Sequence, residues 1–299
     1  MAVTLGRRLS AAVVSAVAIG LAVPGRGEIL RISEPRPVAD SAPGLKAVLD
    51  PAVVRQGGYA VLTVTGTGGR MKGTADALGL EISLYPAPGG LRALVPVPLT
   101  TKRGRHRIQV IVGNLEARVF MTVARRPVRP MRHIRGLIVS PEKAEALRTD
   151  KGKLGRILSR ESAEALWSAV LRRPVPGPVT AEFGVPRSYG GGAGWVHKGV
   201  DVPMPRNWPV IAPTGGTVRL AKLMGSYGNI IVVDHGQGVF TTYLHLRSML
   251  VEPGVRVEAG QVIGTVGATG MATGPHLHFG VFMHRVAVDP VEFLTRGLP

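Results

Sequence analysis

Apolar residues in this chain come in short runs closed by glycine, proline or charge, and that rhythm leaves little room for long helices. Tyr59–Thr65 (YAVLTVT) and residues 80–85 (LEISLY), 91–95 (LRALV), 107–112 (RIQVIV) and 117–123 read as strands. Spacings of roughly 10 to 15 residues between most of them predict a small antiparallel, Ig-like sandwich over residues 28–124. With Gly 40, Pro 24 and only 5% aromatic residues, the whole chain is expected to be mostly β. At 299 residues it is long enough for more than one domain.

The N-terminus points to export. Arg7 and Arg8 precede an uncharged run over residues 9–23, ended by Pro24 and Gly25. This run falls short of the ~20 residues that span a bilayer, so residues 1–27 are expected to be a signal peptide or an uncleaved signal anchor. The chain is then placed in the periplasm or cell envelope. Cys 0 excludes disulfides and thiolate chemistry, leaving histidines and carboxylates for any metal. The net charge of +18 is spread along the chain without a nucleic-acid-binding signature, so no nucleic acid is expected as a partner. Anionic envelope polymers or a membrane surface fit the same charge.

A basic linker, ARRPVRPMRHIRG (residues 124–136), opens a connector over residues 125–173. Ser140 and Pro141 have the N-cap and first-turn chemistry of a helix start at SPEKAEAL. A longer helix is expected over residues 153–172, with Leu154, Ile157, Leu158, Ala165 and Ala169 on one stripe. Pro174, Pro176 and Pro178 stop it, so the last domain covers residues 174–299. Residues 210–220, 230–234, 239–245, 261–266 and 276–282 read there as strands.

Six of the eight histidines lie in that last domain. In GPHLHFG, His276 and His278 project from one strand face while Leu277 points to the core. An HxH pair alone is a weak signal. WVHKGVD, with His197 and Asp201 four apart, and YLHL around His245 add the residues a catalytic zinc needs. Such a zinc takes three nitrogen or oxygen ligands, keeps a position for water and lowers that water's pKa to about 7. Hydrolysis then needs no nucleophilic side chain. His235 and Asp234 read as structural turn residues, His284 as an exposed turn residue and His106 as a solvated loop residue. Trp195 and Trp208 suit either substrate stacking or burial.

Together, His197-x-x-x-Asp201, YLHL and GPHLH resemble the lysostaphin-type, LytM-domain zinc endopeptidases of peptidase family M23. The likeness spans roughly residues 174–294 and includes GNIIVVDHG, VEPGVRVEAGQVIGTVGATG and VDPVEFL. It implies an antiparallel, barrel-like β-sheet with a groove on one face. It also implies one Zn2+ per chain held by His197, Asp201 and His278, with His245 and His276 as the catalytic pair, and peptidoglycan as the substrate. One departure stands out: many relatives place a proline three residues after an arginine, whereas FGVPRSYGGG keeps Arg187 but has glycine there. This loop, with Tyr189 and the GGGAG run of residues 190–194, reads as a groove wall or a flexible loop.

Two functions follow. The first is an exported zinc-dependent endopeptidase that cuts peptidoglycan cross-links or stem peptides during wall remodelling. The second is a non-catalytic wall-binding or regulatory module that activates another hydrolase. Relatives of the second kind typically lose a ligand or catalytic histidine, and this chain keeps all five.

Overall fold

The computed structural model describes residues 44–127, 129–134, 140–189 and 195–299. The leader expected over residues 1–27 and the GGGAG run lie outside the described residues. The upstream strands are β1 (Lys46–Asp50), β2 (Val53–Arg55), β3 (Tyr59–Thr65), β4 (Gly73–Ala77), β5 (Leu80–Ala87), β6 (Gly90–Pro96), β7 (Gly104–Val112) and β8 (Leu115–Ala124). They pair in the order β1-β3-β6-β5-β4-β7-β8-β2. Neighbours are antiparallel except β2 and β8. All five strand runs read from the sequence are present, while β1, β2 and β4 are too short to show a period of two.

Strand β5 belongs to both halves of this sheet: residues 80–84 pair with β4 and residues 85–87 with β6. The two halves share one core, Leu62, Val64 and Leu91 from one and Ile82, Val110 and Ala117 from the other. Burying each large aliphatic side chain stabilises by about 1.5–3 kcal/mol before chain entropy is counted. His106 lies on β7, not in a loop, with its Nε2 2.7 Å from the Lys102 carbonyl.

The connector departs from expectation in two places. Strand β9 (Arg132–Ile134) lies inside the supposed linker and pairs in parallel with β10 (Pro186–Tyr189). Acids of the last domain anchor the same arginine-rich segment, through Arg126–Asp289 at 2.5 Å and Arg129–Glu182 at 3.0 Å. Among the described residues of the connector there is one helix, α1 (Pro141–Leu158), capped by Ser140 as predicted, and it ends where the longer helix was expected to run.

Residues 160–172 are an extended strap instead. The last domain captures their backbone through Leu166 N–H to His235 O at 2.8 Å, Gln237 N–H to Ser162 O at 2.6 Å and Arg172 N–H to Pro213 O at 2.9 Å. These bonds replace helical ones, so long-range backbone partners rather than local propensity decide the conformation. The strap lies so close that a Cβ on Gly236, which has φ +92, would strike the Glu164 carbonyl. Leu154 and Leu158 do bury as expected, against Met224, Ile230, Phe240 and Leu244.

The remaining strands are β11 (Trp195–Val196), β12 (Val200–Pro203), β13 (Pro209–Ile211), β14 (Gly216–Met224), β15 (Gly228–Gly236), β16 (Val239–Leu246), β17 (Ser248–Met249), β18 (Arg256–Val257), β19 (Val262–Thr265), β20 (His276–Met283) and β21 (Val286–Val288). Helix α2 (Pro290–Arg296) follows. The main sheet runs β12-β20-β16-β15-β14-β18, with β21 on β20, and a smaller one runs β13-β19-β17. The single strand expected over residues 210–220 is two strands in different sheets, because Pro213, Thr214 and Gly215 interrupt the pairing.

His284 sits in the β20–β21 turn as expected but is buried, not exposed. Its ring packs on Gly238, and its Nδ1 is 3.0 Å from the Glu161 carboxylate of the strap. Glu161 also accepts from the Tyr85 hydroxyl at 3.2 Å, so one carboxylate ties β5, the strap and this turn together.

Candidate metal centre

Two adjacent strands bring the sequence-predicted residues to one place. Strand β12 pairs antiparallel with β20 so that Asp201 stands opposite His278 and Pro203 opposite His276. Leu277 is fully buried on the other face, as the alternation predicts. His197 lies just before β12, its backbone fixed by His197 N–H to Val185 O at 3.0 Å and Gly184 N–H to His197 O at 2.9 Å. Gly199 is needed between ligand and strand, since a Cβ there would meet the Phe279 carbonyl at 2.5 Å and His278 Nε2 at 2.6 Å.

Three donor atoms converge. His197 Nε2 is 3.1 Å from Asp201 Oδ1 and 3.0 Å from His278 Nδ1, and His278 Nδ1 is 2.9 Å from Asp201 Oδ1. A tetrahedral zinc bound at about 2.0–2.2 Å separates its ligand atoms by about 3.3–3.5 Å, so this triangle is close to the right size. His197 Nδ1 faces the Glu182 carbonyl at 2.9 Å. A carbonyl only accepts, so Nδ1 carries the ring hydrogen and Nε2 turns its lone pair inward.

Electrostatics favour the same state. Burial pushes His197 down to about 4, against the opposing hydrogen bond with Asp201. For Asp201, burial works to raise the carboxyl, but its contacts with His197 and His278 prevail and hold it well below the usual range. Neutral imidazole and an ionised carboxylate at neutral pH are what a divalent cation requires.

Arg187 supplies the support that sequence spacing did not reveal. It is buried, and its Nη2 donates to Asp201 Oδ2 at 2.8 Å, leaving Oδ1 in the triangle. The same Nη2 is 3.0 Å from His197 Nδ1, but both atoms carry hydrogen, so the carboxylate contact is the bond that counts. The guanidinium position is visible in the sequence; its partner is not.

His245 and His276 stand beside the triangle with ring centroids 4.9 Å apart. His245 Nδ1 donates to the Thr269 carbonyl at 2.8 Å and His276 Nδ1 to the Gly274 carbonyl at 2.8 Å. These contacts put a hydrogen on Nδ1 of each ring, and His276 Nε2 is 3.9 Å from Asp201 Oδ1. Burial, then the charges of His276 and His278, push His245 down to about 3. His245 adopts φ +62, a left-handed conformation held by His245 N–H to Tyr227 O at 3.0 Å. Backbone carbonyls as orienting groups leave no mark in a residue pattern.

The five residues line a groove of about 1090 Å³ whose wall includes α1 and Trp195. Trp208 lies outside it and is partly exposed. Asp234 and His235 are structural, though both lie on β15 and not in a turn. Asp234 bonds Arg219 at 2.8 Å, and fully buried His235 bridges the Gly215 carbonyl and Thr241 Oγ1.

Residues 195–290 match the family model of Peptidase family M23. This is a peptidase M23 domain. A crystal structure of a candidate peptidase M23 from Pseudomonas aeruginosa superposes with a TM-score of 0.63 at 27% identity, covering 81% of this chain and 95% of that one. The shared fold thus reaches well upstream of the M23 match. The DD-carboxypeptidase/endopeptidase Mpg of Neisseria meningitidis is 40% identical over 97 residues, 32% of this chain and 22% of its own length. The peptidoglycan DD-endopeptidase ShyC of Vibrio cholerae is 35% identical over 133 residues, 44% of this chain and 30% of its own. The chain thus spans less than a third of either relative. The M23 match contains all five of His197, Asp201, His245, His276 and His278 and leaves out Arg187 and α1.

Proposed function

We propose that the chain is an exported zinc-dependent endopeptidase that hydrolyses peptide bonds of peptidoglycan, in its cross-links or stem peptides. The observation that carries this is the donor triangle flanked by two histidines whose Nδ1 atoms are each held by a backbone carbonyl. His197 Nε2, Asp201 Oδ1 and His278 Nδ1 would hold one zinc ion, whose Lewis acidity polarises the attacked carbonyl and acidifies water to a pKa of about 7. His245 and His276 act as the proton-handling pair. A neutral ring accepts the proton released by the attacking water at Nε2, and once charged donates it to the oxygen or amine that gains electron density. Arg187 holds the Asp201 carboxylate in register throughout.

In this reading residues 1–27 direct export or anchor the chain, and residues 28–124 are an Ig-like accessory sandwich. Residues 125–173 connect it to the peptidase domain of residues 174–299. The names of the Neisseria and Vibrio relatives support a peptidoglycan peptide as the substrate and an envelope location.

The test uses the protein from residue 28 onward, its bound zinc measured by mass spectrometry, incubated with intact sacculi beside His278→Ala and His245→Ala. The expected result is one zinc per chain and soluble muropeptides from the parent alone, with zinc kept in His245→Ala and lost in His278→Ala. Equal release from all three proteins, or a parent without zinc, would sink the proposal. A parent that binds zinc and sacculi but releases nothing would be a regulatory module instead.

A further inference from the structure

Residues 180–189 carry the outer support of two members of the donor triangle. Thr180 N–H donates to the Asp201 carbonyl at 3.0 Å, and Asp201 N–H to the Ala181 carbonyl at 3.0 Å. The Glu182 carbonyl orients the His197 ring, Gly184 and Val185 fix its backbone, and Arg187 aims the Asp201 carboxylate. This whole segment precedes the M23 match.

The arginine-rich linker grips that segment at one residue after another. Arg132 Nη1 donates to the Thr180 carbonyl at 2.9 Å, Arg126 Nη2 to the Phe183 carbonyl at 3.3 Å, and Arg129 pairs with Glu182 at 3.0 Å. His133 Nδ1 is 2.7 Å from the Ser188 hydroxyl, and the parallel ladder sets Arg132 beside Arg187 and His133 beside Ser188. Thr180 is therefore held at its carbonyl by the linker while its N–H holds Asp201.

These contacts differ in weight. Arg129 and Glu182 are 60% and 51% exposed, and an ion pair there contributes little. Arg126 also pairs with Asp289, so it ties the linker to the last domain whatever the centre does. Among the described residues, the side-chain hydrogen bonds of Arg132 and His133 reach only Thr180 and Ser188. Both side chains are on exposed residues, whereas Arg187 and Ser188 are buried. A ligand whose supporting segment can sway must be ordered by the metal itself, which lowers affinity.

We propose that the arginine-rich linker clamps the metal centre: Arg132 and His133 are positioning residues that fix residues 180–188 and through them the aim of His197 and Asp201. The proposal deepens the peptidase reading and rests on it for the zinc. It gives a segment outside the M23 match a part in metal affinity.

The test begins on the metal-free protein from residue 28 onward, by amide hydrogen exchange read residue by residue. In Arg132→Ala/His133→Ala the amides of Thr180, His197 and Asp201 should exchange about tenfold faster, while those of β15 and β16 keep the parent's rates. Zinc affinity, read by competition with a chelator, should fall by about tenfold. Arg132→Lys alone keeps a donor for the Thr180 carbonyl and should behave as the parent does. His133→Ala should add no further loss of zinc affinity in an Arg187→Met background, because His133 reaches Asp201 only through β10.

Unchanged exchange at those three amides, equal acceleration in β15 and β16, or faster local exchange with unaltered zinc affinity would each overturn the proposal. Additive losses in His133→Ala/Arg187→Met would do the same. A parent that takes up no zinc yet shows the local acceleration in the double variant retains the clamp and refutes the metal reading alone.

Discussion

Asp150 offers a sharp test of how a helix outside the M23 match supports the centre. It is 3% exposed on α1, and its Oδ2 accepts from Ser226 N–H at 2.8 Å and Ser226 Oγ–H at 2.7 Å. The next residue, Tyr227, offers the carbonyl that holds His245 in its left-handed conformation, and Ser226 O accepts from Met271 N–H at 2.9 Å. Asp150→Ala orphans a buried amide and a hydroxyl. Each orphaned donor costs about 1–3 kcal/mol, and the hydroxyl recovers part by rotating, so the loss should be about 2–4 kcal/mol. For a protein of this size that is a fall of roughly 3–6 °C in melting temperature.

Calorimetry on Asp150→Ala, Ser226→Ala and the double variant checks this, because a direct bond gives a coupling of about 0.5–3 kcal/mol. Bound zinc should stay at the parent level while turnover falls, since the ligands lie on β12 and β20 and the perturbation reaches His245. A melting shift under 1 °C, additive single changes, or zinc loss equal to that of His278→Ala would refute the reasoning.

Arg187→Met should weaken zinc by about 10–100-fold, as removal of a ligand's supporting partner does, with circular dichroism unchanged; competition with a chelator reads it, and unaltered affinity would deny Arg187 its role. Gly199→Ala should lose zinc with the chain still folded, because its Cβ collides with the His278 ring and the Phe279 carbonyl; a variant with full zinc content would show the strand relaxing instead. Burial lowers His235 to about 4 in the folded chain, against about 6.5 unfolded. The unfolded state therefore binds the extra proton first, and stability contributed by neutral His235 is lost as pH falls from about 6.5 to about 4. His235→Asn should flatten the stability slope in that window, and an unchanged slope would mean that other groups carry it.

Much of this was legible in the residue order. The period of two in HLH put His276 and His278 on one face, and the four-residue step from His197 to Asp201 held in the structure. Turn and cap chemistry at Ser140 and Pro141 located the start of α1. Where local signals misled, long-range partners had overridden them. Residues 160–172 have a helical stripe, but His235, Gln237 and Pro213 bond their backbone, and the arginine-rich linker became β9 because β10 offered it a ladder.

The sequence by itself determined the donor chemistry and the mostly β character, because those depend on side-chain type and short-range periodicity, while the set of residues expected to converge came from the resemblance to peptidase family M23. Only the tertiary structure decided that Arg187 aims Asp201, that the Thr269 and Gly274 carbonyls set the tautomers of the histidine pair, and that α1 walls the groove. The Arg187 and Thr269 contacts and the α1 wall join groups at least 14 residues apart in the chain, and the Gly274 contact, two residues from His276, depends on the backbone conformation of the bend between them, which side-chain type does not encode.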